Sequence, residues 1–104
     1  MQAKGWNNGS FSVSGARYGI RISRQDRDKF FNRGWSKVVI ELEGERELIE
    51  VRLSDSFWRG CSELRSAKIG RWMMKNGLAP WERGCPPKLE LQPIGGNKFK
   101  LKKL

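Results

Sequence analysis

The chain has 104 residues, the size of a single domain with one modest core, and a formal net charge of +10 with a sequence pI of about 10.2. It contains no histidine, which excludes Ser–His and Cys–His nucleophile pairs, and its two cysteines are too few for a zinc site made of thiolates alone. Such a charge indicates a polyanionic partner, of which nucleic acid is the commonest. An anionic membrane surface and an acidic protein are the alternatives.

The charge is segregated along the chain. Residues 1–36 carry seven basic and two acidic side chains, residues 37–53 carry three basic and five acidic ones, and residues 54–104 carry eleven basic and four acidic ones. An acidic middle therefore lies between two basic flanks. This segregation favours one basic face built from two separated segments over an evenly mixed surface.

The first residues, MQAKGWNNG (1–9), are polar and contain glycine, which predicts a flexible arm ahead of a domain over residues 10–104. SFSV (10–13) and YGIRIS (18–23) alternate apolar with small or polar residues, which predicts two strands joined by a turn at SGAR.

A change of period after YGIRIS predicts the first helix. Ser23 stands three residues before Asp26 as an N-cap signal, and Phe30 and Phe31 would anchor the end of the helix to a core. Residues 37–53 then predict a hairpin of two strands that turns at EGE. Because this hairpin is acidic, we expect it to face away from any polyanion.

The C-terminal part predicts a second helix and a second hairpin. Ile69, Trp72 and Met73 follow helical spacing, and Gly77 is placed to end the helix. A proline-rich loop follows, and then KLELQ and KFKLK alternate around the turn PIGGN. The tally of six or seven short strands and two short helices predicts a mainly β barrel or sandwich, because closure removes exposed strand edges.

The sequence contains no pattern for catalysis. Most carboxylates lie in the acidic hairpin, where alternating Glu residues usually serve solubility. There is neither a glycine-rich phosphate loop nor the Asp and Glu-x-Lys arrangement of a metal-dependent nuclease. We therefore expect no catalysis by this chain alone, no metal and no cofactor.

The connection SFWRGCSELRS (56–66) is instead dense in side chains that could read bases. Arg can bond guanine, Asn can bond adenine and Glu can accept from cytosine in the major groove. The candidate base-contacting residues of this connection are Trp58, Arg59, Ser62, Glu63 and Arg65. Those near the first turn are Asn8, Ser10, Ser14 and Arg17. The candidate phosphate-contacting residues are Lys4, Arg24, Lys68, Arg71 and Lys98. A structural interpretation competes with this one: Phe57 and Trp58 would plug the barrel, and the polar residues would be merely solvated.

Two motifs resemble those of the B3 DNA-binding domain. YGIRISRQDRDKFF, ending in Phe30 and Phe31, occupies the frame of the family's R-L-x-I-P-K-x-x-A-x-x-F-F motif. The second helix of plant members reads G-W-x-x-F-x-x-x-N-x-L-x-x-G-D. The residues at its Trp, Phe, Asn and Leu positions here are Ile69, Trp72, Asn76 and Leu78. The resemblance covers residues 10–103.

The chain departs from the family pattern at three points. The proline before the first helix is replaced by Ser23 or its neighbour, Gly-Trp becomes Lys68-Ile69, and Gly-Asp is lost in the longer loop APWERGCPPK. These departures favour a divergent bacterial effector domain over a plant transcription factor. With no secretory signal or apolar run long enough to span a bilayer, we expect an intracellular protein in a bacterial cytoplasm, with both cysteines reduced.

The resemblance implies a mainly β, small seven-stranded open pseudobarrel with two short helices. Such domains grip the major groove of double-stranded DNA with two arms, as transcription regulators or as effector domains of restriction endonucleases. SVSGARYG (12–19) stands where the first arm is expected, and SFWRGCSELRS where the second is expected. The implied function is sequence-specific duplex binding by a monomeric domain, with a fused or partner nuclease or a regulatory domain.

Two other functions fit the composition. A small barrel that binds single strands or RNA would use Trp58, Trp6 or Trp81 as stacking platforms along a basic groove. A protein-interaction module would use its Trp and Met residues as a partner patch. The salt dependence of binding distinguishes the protein-interaction module from the nucleic-acid binders. Phosphate contacts weaken steeply as the salt concentration rises, whereas binding to a protein partner would be largely indifferent to salt.

Overall fold

Seven strands form one mixed sheet that nearly closes into a barrel in the computed structural model, which describes residues 1–9 and 14–104. The strands are β1 (Gln2–Asn7), β2 (Tyr18–Arg21), β3 (Lys37–Leu42), β4 (Leu48–Arg52), β5 (Glu63–Arg65), β6 (Lys88–Gly95) and β7 (Lys98–Lys103). The helices within the described residues are α1 (Arg24–Phe30), α2 (Asp55–Arg59) and α3 (Ala67–Lys75). The predicted fold class, a mainly β seven-stranded open barrel, is confirmed, with three short helices where two were predicted.

The strand order across the sheet is β4-β3-β7-β6-β1-β2-β5. All neighbouring pairs are antiparallel except β3 and β7, which run parallel. The two edge strands, β4 and β5, approach each other and so nearly close the barrel. Near-closure protects the backbone groups of both edges, which would otherwise offer a template for another strand.

Apolar alternation along the strands places the core on the inner face of the sheet. The buried residues of the two predicted hairpins are Val38, Ile40, Leu42, Ile49, Val51, Leu89, Leu91, Phe99 and Leu101. Both hairpins therefore have the inward and outward faces that the sequence predicts.

The start of α1 and the end of α3 lie at the signals that the sequence predicts. The Ser23 hydroxyl accepts the Asp26 backbone N–H at 3.1 Å and caps α1. Gly77 has φ +71°, and its N–H donates to the Met74 carbonyl at 3.1 Å after the end of α3. This left-handed conformation is one that glycine adopts without steric cost, so the helix ends there.

The N-terminal segment differs from the expected flexible arm. Residues 2–7 form β1, which is hydrogen-bonded between β2 and β6 in the interior of the sheet. Ala3 and Gly5 face inward, and a Cβ at Gly5 would lie 2.7 Å from the Pro87 side chain. The small inward residues fit this crowded position, and their low strand propensity hid the strand from sequence reasoning.

The connection at residues 56–66, for which the sequence predicts no helix or strand, forms α2 and β5. Helix α2 has five residues, and only Phe57 among them is buried. Elements this short show too few periods for an apolar pattern to predict them. The predicted strand at residues 10–13 lies outside the described residues.

None of the described helices has the length and apolar character needed to cross a membrane.

Candidate nucleic-acid interface

Three neighbouring strands carry a set of polar side chains on the outer side of the barrel. Residues paired directly across antiparallel strands point to the same face. Lys4 pairs with Arg21, which pairs with Glu63, and Trp6 pairs with Gly19, which pairs with Arg65. The side chains between these rows, such as Ile20, point into the core. We call the outer side of β1, β2 and β5, with Lys4, Trp6, Arg21, Glu63 and Arg65, the three-strand face.

This face extends at both ends. Beyond the Trp6 row, the Asn8 backbone N–H donates to the Arg17 carbonyl at 3.1 Å, and the Arg17 guanidinium donates to the Asn8 side-chain oxygen at 3.1 Å. Beyond Lys4, the register continues to Lys88 at the start of β6. A groove of about 370 Å³ runs beside the face, lined by Gln2, Lys4, Arg21, Ile22, Ser23 and Asp26.

Glu63 is the buried centre of the face. Its side chain is 2% exposed, whereas those of Arg21 and Arg65 are more than half exposed. Arg65 Nη2 lies 3.1 Å from Glu63 Oε1, and Arg21 Nε lies 3.6 Å from Glu63 Oε2. Two guanidinium groups therefore flank one carboxylate.

Arg65 is also stacked on Trp6, with its guanidinium carbon 4.5 Å from the ring centroid. Trp6 is half-buried, so the ring offers a fixed apolar surface at the centre of the face. A guanidinium over an indole ring gains from the cation–π attraction, and indole is the strongest partner for it.

Several basic side chains around this face lack an ion-pair partner among the described residues. Lys4 and Lys88 lie side by side on β1 and β6, and both are exposed. Arg24 begins α1, and its Nη2 lies near Gly60, which follows Arg59 at the end of α2. The exposed Arg59 has no hydrogen bond or ion pair within the described chain either. These cations would meet a phosphate without first breaking a salt bridge.

The first connection spans residues 8–17, and its described C-terminal part, residues 14–17, is held in place by α3. A Cβ at Gly70 would lie 2.4 Å from the Gly15 carbonyl oxygen, and one at Gly15 would lie 2.4 Å from the Ala67 carbonyl oxygen. Arg71 Nη1 donates to the Ser14 carbonyl at 2.9 Å. Two glycines let the backbone of this connection lie directly against the helix.

The part of the second connection that precedes β5, residues 56–62, is held in place by α1. Phe57 is fully buried, which agrees with its predicted role as a plug. Arg27 is buried, and its Nη1 donates to the Phe57 carbonyl at 3.1 Å. Trp58 is half-buried, and the guanidinium carbons of Arg27 and Arg33 lie 5.7 Å and 4.8 Å from its ring centroid.

Four predicted site residues are already engaged by other parts of the chain. The Ser62 hydroxyl is buried and donates to the Ile22 carbonyl at 2.6 Å, so it is not free to contact a base. Glu63 is likewise buried, because it lies between the two arginines. Lys68 pairs with Glu47, and Arg71 holds the Ser14 carbonyl.

Lys98 is exposed but begins β7, at the opposite end of the β6–β7 hairpin from Lys88. Ser10 lies outside the described residues.

The structure does bring together Lys4, Asn8, Arg17 and Arg65, and it places Arg24 near the end of the α2 helix that carries Arg59. The DNA-contacting residues predicted from the sequence do not include Trp6, Arg21 or Lys88. The alternation of Gln2, Lys4 and Trp6 with the small residues Ala3 and Gly5 could have predicted a strand with Lys4 and Trp6 on its outer face.

A second part of the surface has a different charge arrangement. We call it the hairpin side: the β3–β4 hairpin together with the lysines of β3, α3 and β7 that contact it. Lys37 Nζ lies 2.5 Å from Glu50 Oε2, Lys75 Nζ lies 3.5 Å from Glu45 Oε1, and Lys100 Nζ lies 3.9 Å from Glu41 Oε2. The hydrogen bond and charge of Lys68 lower the pKa of Glu47 below its ordinary value, with a smaller contribution from Arg71. Acidic and basic groups here largely neutralise one another.

Among residues 1–9 and 14–104, no group of three or more Cys, Asp or Glu side chains could hold a metal ion. No family model, curated protein or solved structure matches this chain.

Proposed function

We propose that this chain is a sequence-specific double-stranded DNA-binding domain that enters the major groove with its two connections, as B3 domains do. The observation that carries the proposal is the three-strand face. It lies between the two connections, displays Arg21 and Arg65 around one carboxylate, and continues into the unpaired Lys4 and Lys88. A duplex is the polyanion whose size and charge suit a face of this kind.

Phosphate contacts are assigned to Lys4, Lys88, Arg24 and Arg59. None of these has an ion pair within the described residues, so the gain from counterion release is not offset by a broken salt bridge. Lys68, Arg71 and Lys98 are given lesser roles, since the first two already have partners and the third is remote.

Base contacts are assigned to Arg65 and to the residues of the first connection, chiefly Asn8 and Arg17. The Asn8–Arg17 pair presents amide and guanidinium donors at an exposed position next to the Trp6 row. Asn can bond adenine with two hydrogen bonds and Arg can bond guanine with two, which are the commonest base-specific contacts of these side chains.

The resemblance to B3 domains supports the same assignment. The order of strands, first helix, hairpin, second connection and last hairpin is the one that the resemblance implies, and the sheet is nearly closed. On this proposal the chain acts inside the cell as the recognition domain of a restriction endonuclease or of a transcription regulator. It supplies sequence recognition, and a fused or partner domain supplies any catalysis.

The test is selection from a pool of random duplexes at two salt concentrations, read by sequencing. We expect a short enriched motif that persists at the higher salt, with overall affinity falling steeply between the two conditions. Enrichment without a motif would contradict sequence-specific reading and leave only a basic surface. Binding to a protein partner that is indifferent to salt, with no duplex binding, would contradict the proposal entirely.

Single-stranded nucleic acid is the second candidate, because Trp6 is half-buried on the basic face and could stack a base. One face of its ring is, however, already covered by Arg65. Trp58 has Arg27 and Arg33 against its ring, and Trp81 packs edge-on against Tyr18 at 5.5 Å. A single strand that binds more tightly than a duplex of equal length would favour this candidate.

A further inference from the structure

The burial of Glu63 calls for a physical reason. Removing a carboxylate from water is costly, and a buried ion pair often stabilises a protein no better than apolar residues of the same volume would. Glu63 Oε2 accepts no hydrogen bond within the described residues, although Arg21 lies 3.6 Å from it. Stability alone is therefore a weak explanation for a carboxylate at this place.

The position of Arg65 supplies a better reason. Its guanidinium is held on one face by Trp6 at 4.5 Å and on one edge by Glu63 Oε1 at 3.1 Å. A free arginine side chain has many rotamers, and ordering it when a ligand binds costs about 2 kcal/mol of conformational entropy. Here much of that ordering is already complete before binding.

The hydrogen-bond donors that remain are suited to one base. Arginine has five N–H donors, and Arg65 gives one of them, on Nη2, to Glu63. The other four have no partner among the described residues. A planar guanidinium with two free parallel donors matches O6 and N7 of guanine in the major groove.

Arg21 is a useful contrast on the same carboxylate. It contacts Glu63 through Nε at 3.6 Å, beyond hydrogen-bond length, and no described aromatic ring lies over its guanidinium. It also lines the groove beside Lys4. Its setting suits a less directional contact, such as a phosphate.

We infer that Arg65 is a guanine-reading residue, and that Glu63 and Trp6 are positioning residues that orient its guanidinium. The inference rests on the proposed function and deepens it, because it names the base recognised at one position and the groups that fix the reading side chain. Glu63 touches no DNA on this account.

The experiment starts from the duplex that selection with the wild-type protein returns. Affinities are measured for this duplex, for versions in which each G·C pair is replaced by A·T, and for versions with 7-deazaguanine, which lacks N7, at each guanine. The protein variants are Arg65→Lys, Glu63→Gln, Trp6→Leu and Trp6→Phe. Arg21→Lys is the matched control, because it changes the other arginine of the same carboxylate, and thermal melting shows that each variant is folded.

We expect one guanine at which the wild-type protein prefers G·C over A·T by roughly tenfold to a hundredfold, with a smaller loss of affinity for 7-deazaguanine, which lacks N7 but keeps O6. Arg65→Lys reduces the preference at that position only, because a lysine ammonium lacks the planar pair of donors that the guanidinium offers. Glu63→Gln and Trp6→Leu reduce it by roughly threefold to tenfold, and Trp6→Phe, which keeps a flat ring, preserves more of it than Trp6→Leu. Arg21→Lys weakens binding to every duplex alike.

The outcomes separate the two claims. If the wild-type protein binds no duplex, both the proposed function and this inference fall. If it binds with a motif but Arg65→Lys leaves every preference intact, the inference falls and the function stands. If Arg65→Lys acts at one guanine while Glu63→Gln and Trp6→Leu lower all affinities equally, the positioning role is overturned. Should Glu63→Gln fail to fold, the Trp6→Leu and Trp6→Phe pair decides the positioning role.

Discussion

Lysines on the hairpin side and lysines on the three-strand face have opposite surroundings. On the hairpin side, Lys37 and Lys75 each lie within ion-pair distance of a glutamate. On the three-strand face, Lys4 and Lys88 are neighbours across two strands and have no acidic partner among the described residues. The first arrangement is an exposed surface with little net charge, and the second is a concentrated positive field.

The difference shows that a protein with a net charge of +10 can have one surface with little net charge and another that is strongly positive. Exposed pairs such as those of the hairpin side contribute about 0–1 kcal/mol each to stability and are screened by salt. They do, however, weaken the positive electrostatic field over the hairpin side. Adjacent lysines repel each other, which costs stability unless a ligand supplies negative charge.

The largest expected effect on duplex binding comes from removing the positive charges of Lys4 and Lys88. The double variant Lys4→Gln/Lys88→Gln should weaken duplex binding by roughly tenfold per lysine and reduce the salt slope by about 0.9 for each lost phosphate contact. The matched control, Lys37→Gln/Lys75→Gln, changes the net charge by the same amount. Fluorescence anisotropy across a salt series measures both, and equal losses for the two variants would show that only net charge matters.

The next effect concerns the support of the first connection. Gly70→Ala would place a Cβ against the Gly15 carbonyl, which the present geometry puts at 2.4 Å, so the connection must move away from α3. We expect a loss of roughly 1–3 kcal/mol in the free energy of unfolding, despite the better helix propensity of alanine.

The control for this change is Gly60→Ala, where the nearest contact is the Arg24 side chain at 3.6 Å. Chemical denaturation measures both variants. Equal stability of Gly70→Ala and the wild-type protein would mean that the first connection does not rest on the helix.

A smaller effect is expected beneath the second connection. Arg27→Met keeps the side-chain volume but leaves the Phe57 carbonyl without its donor, which should cost about 1–2 kcal/mol of unfolding free energy. Arg33→Met is the control, since Arg33 lies over the same Trp58 ring but its side chain is 69% exposed. Thermal melting should separate the two variants, and a similar loss in both would assign the stabilisation to the contacts that the two arginines share, with the Trp58 ring and with Asp28.

The smallest effect is a change in titration on the hairpin side. Lys68 lowers the pKa of Glu47, so Lys68→Met should raise that pKa toward its ordinary value. A lowered carboxyl pKa gives a stabilisation that is present above the unfolded pKa and is lost as the pH falls through the folded one. Because the pair is exposed, we expect the NMR titration of Glu47 to shift with no measurable change in melting or duplex affinity. An unshifted titration would show that the pair does not persist in solution.

Sequence reasoning predicted the elements whose signals are local. The hairpin over residues 37–53 and the strands around PIGGN follow from period-two alternation, because each side chain's face depends only on its place in the strand. Ser23 and Gly77 predicted helix ends because capping is decided within one turn. Strand β1, helix α2 and strand β5 escaped prediction, since they are short or carry small inward residues.

What the sequence determined by itself was therefore the mainly β class, the alternating core and the excess of positive charge. Only the tertiary structure decided which charges are neutralised. Lys68 meets Glu47 across 21 positions, and Arg65 meets Trp6 across 59 positions, so neither contact leaves a trace in local spacing. The same long-range pairing buries Glu63, because its surroundings are set by three strands that meet only in the folded sheet.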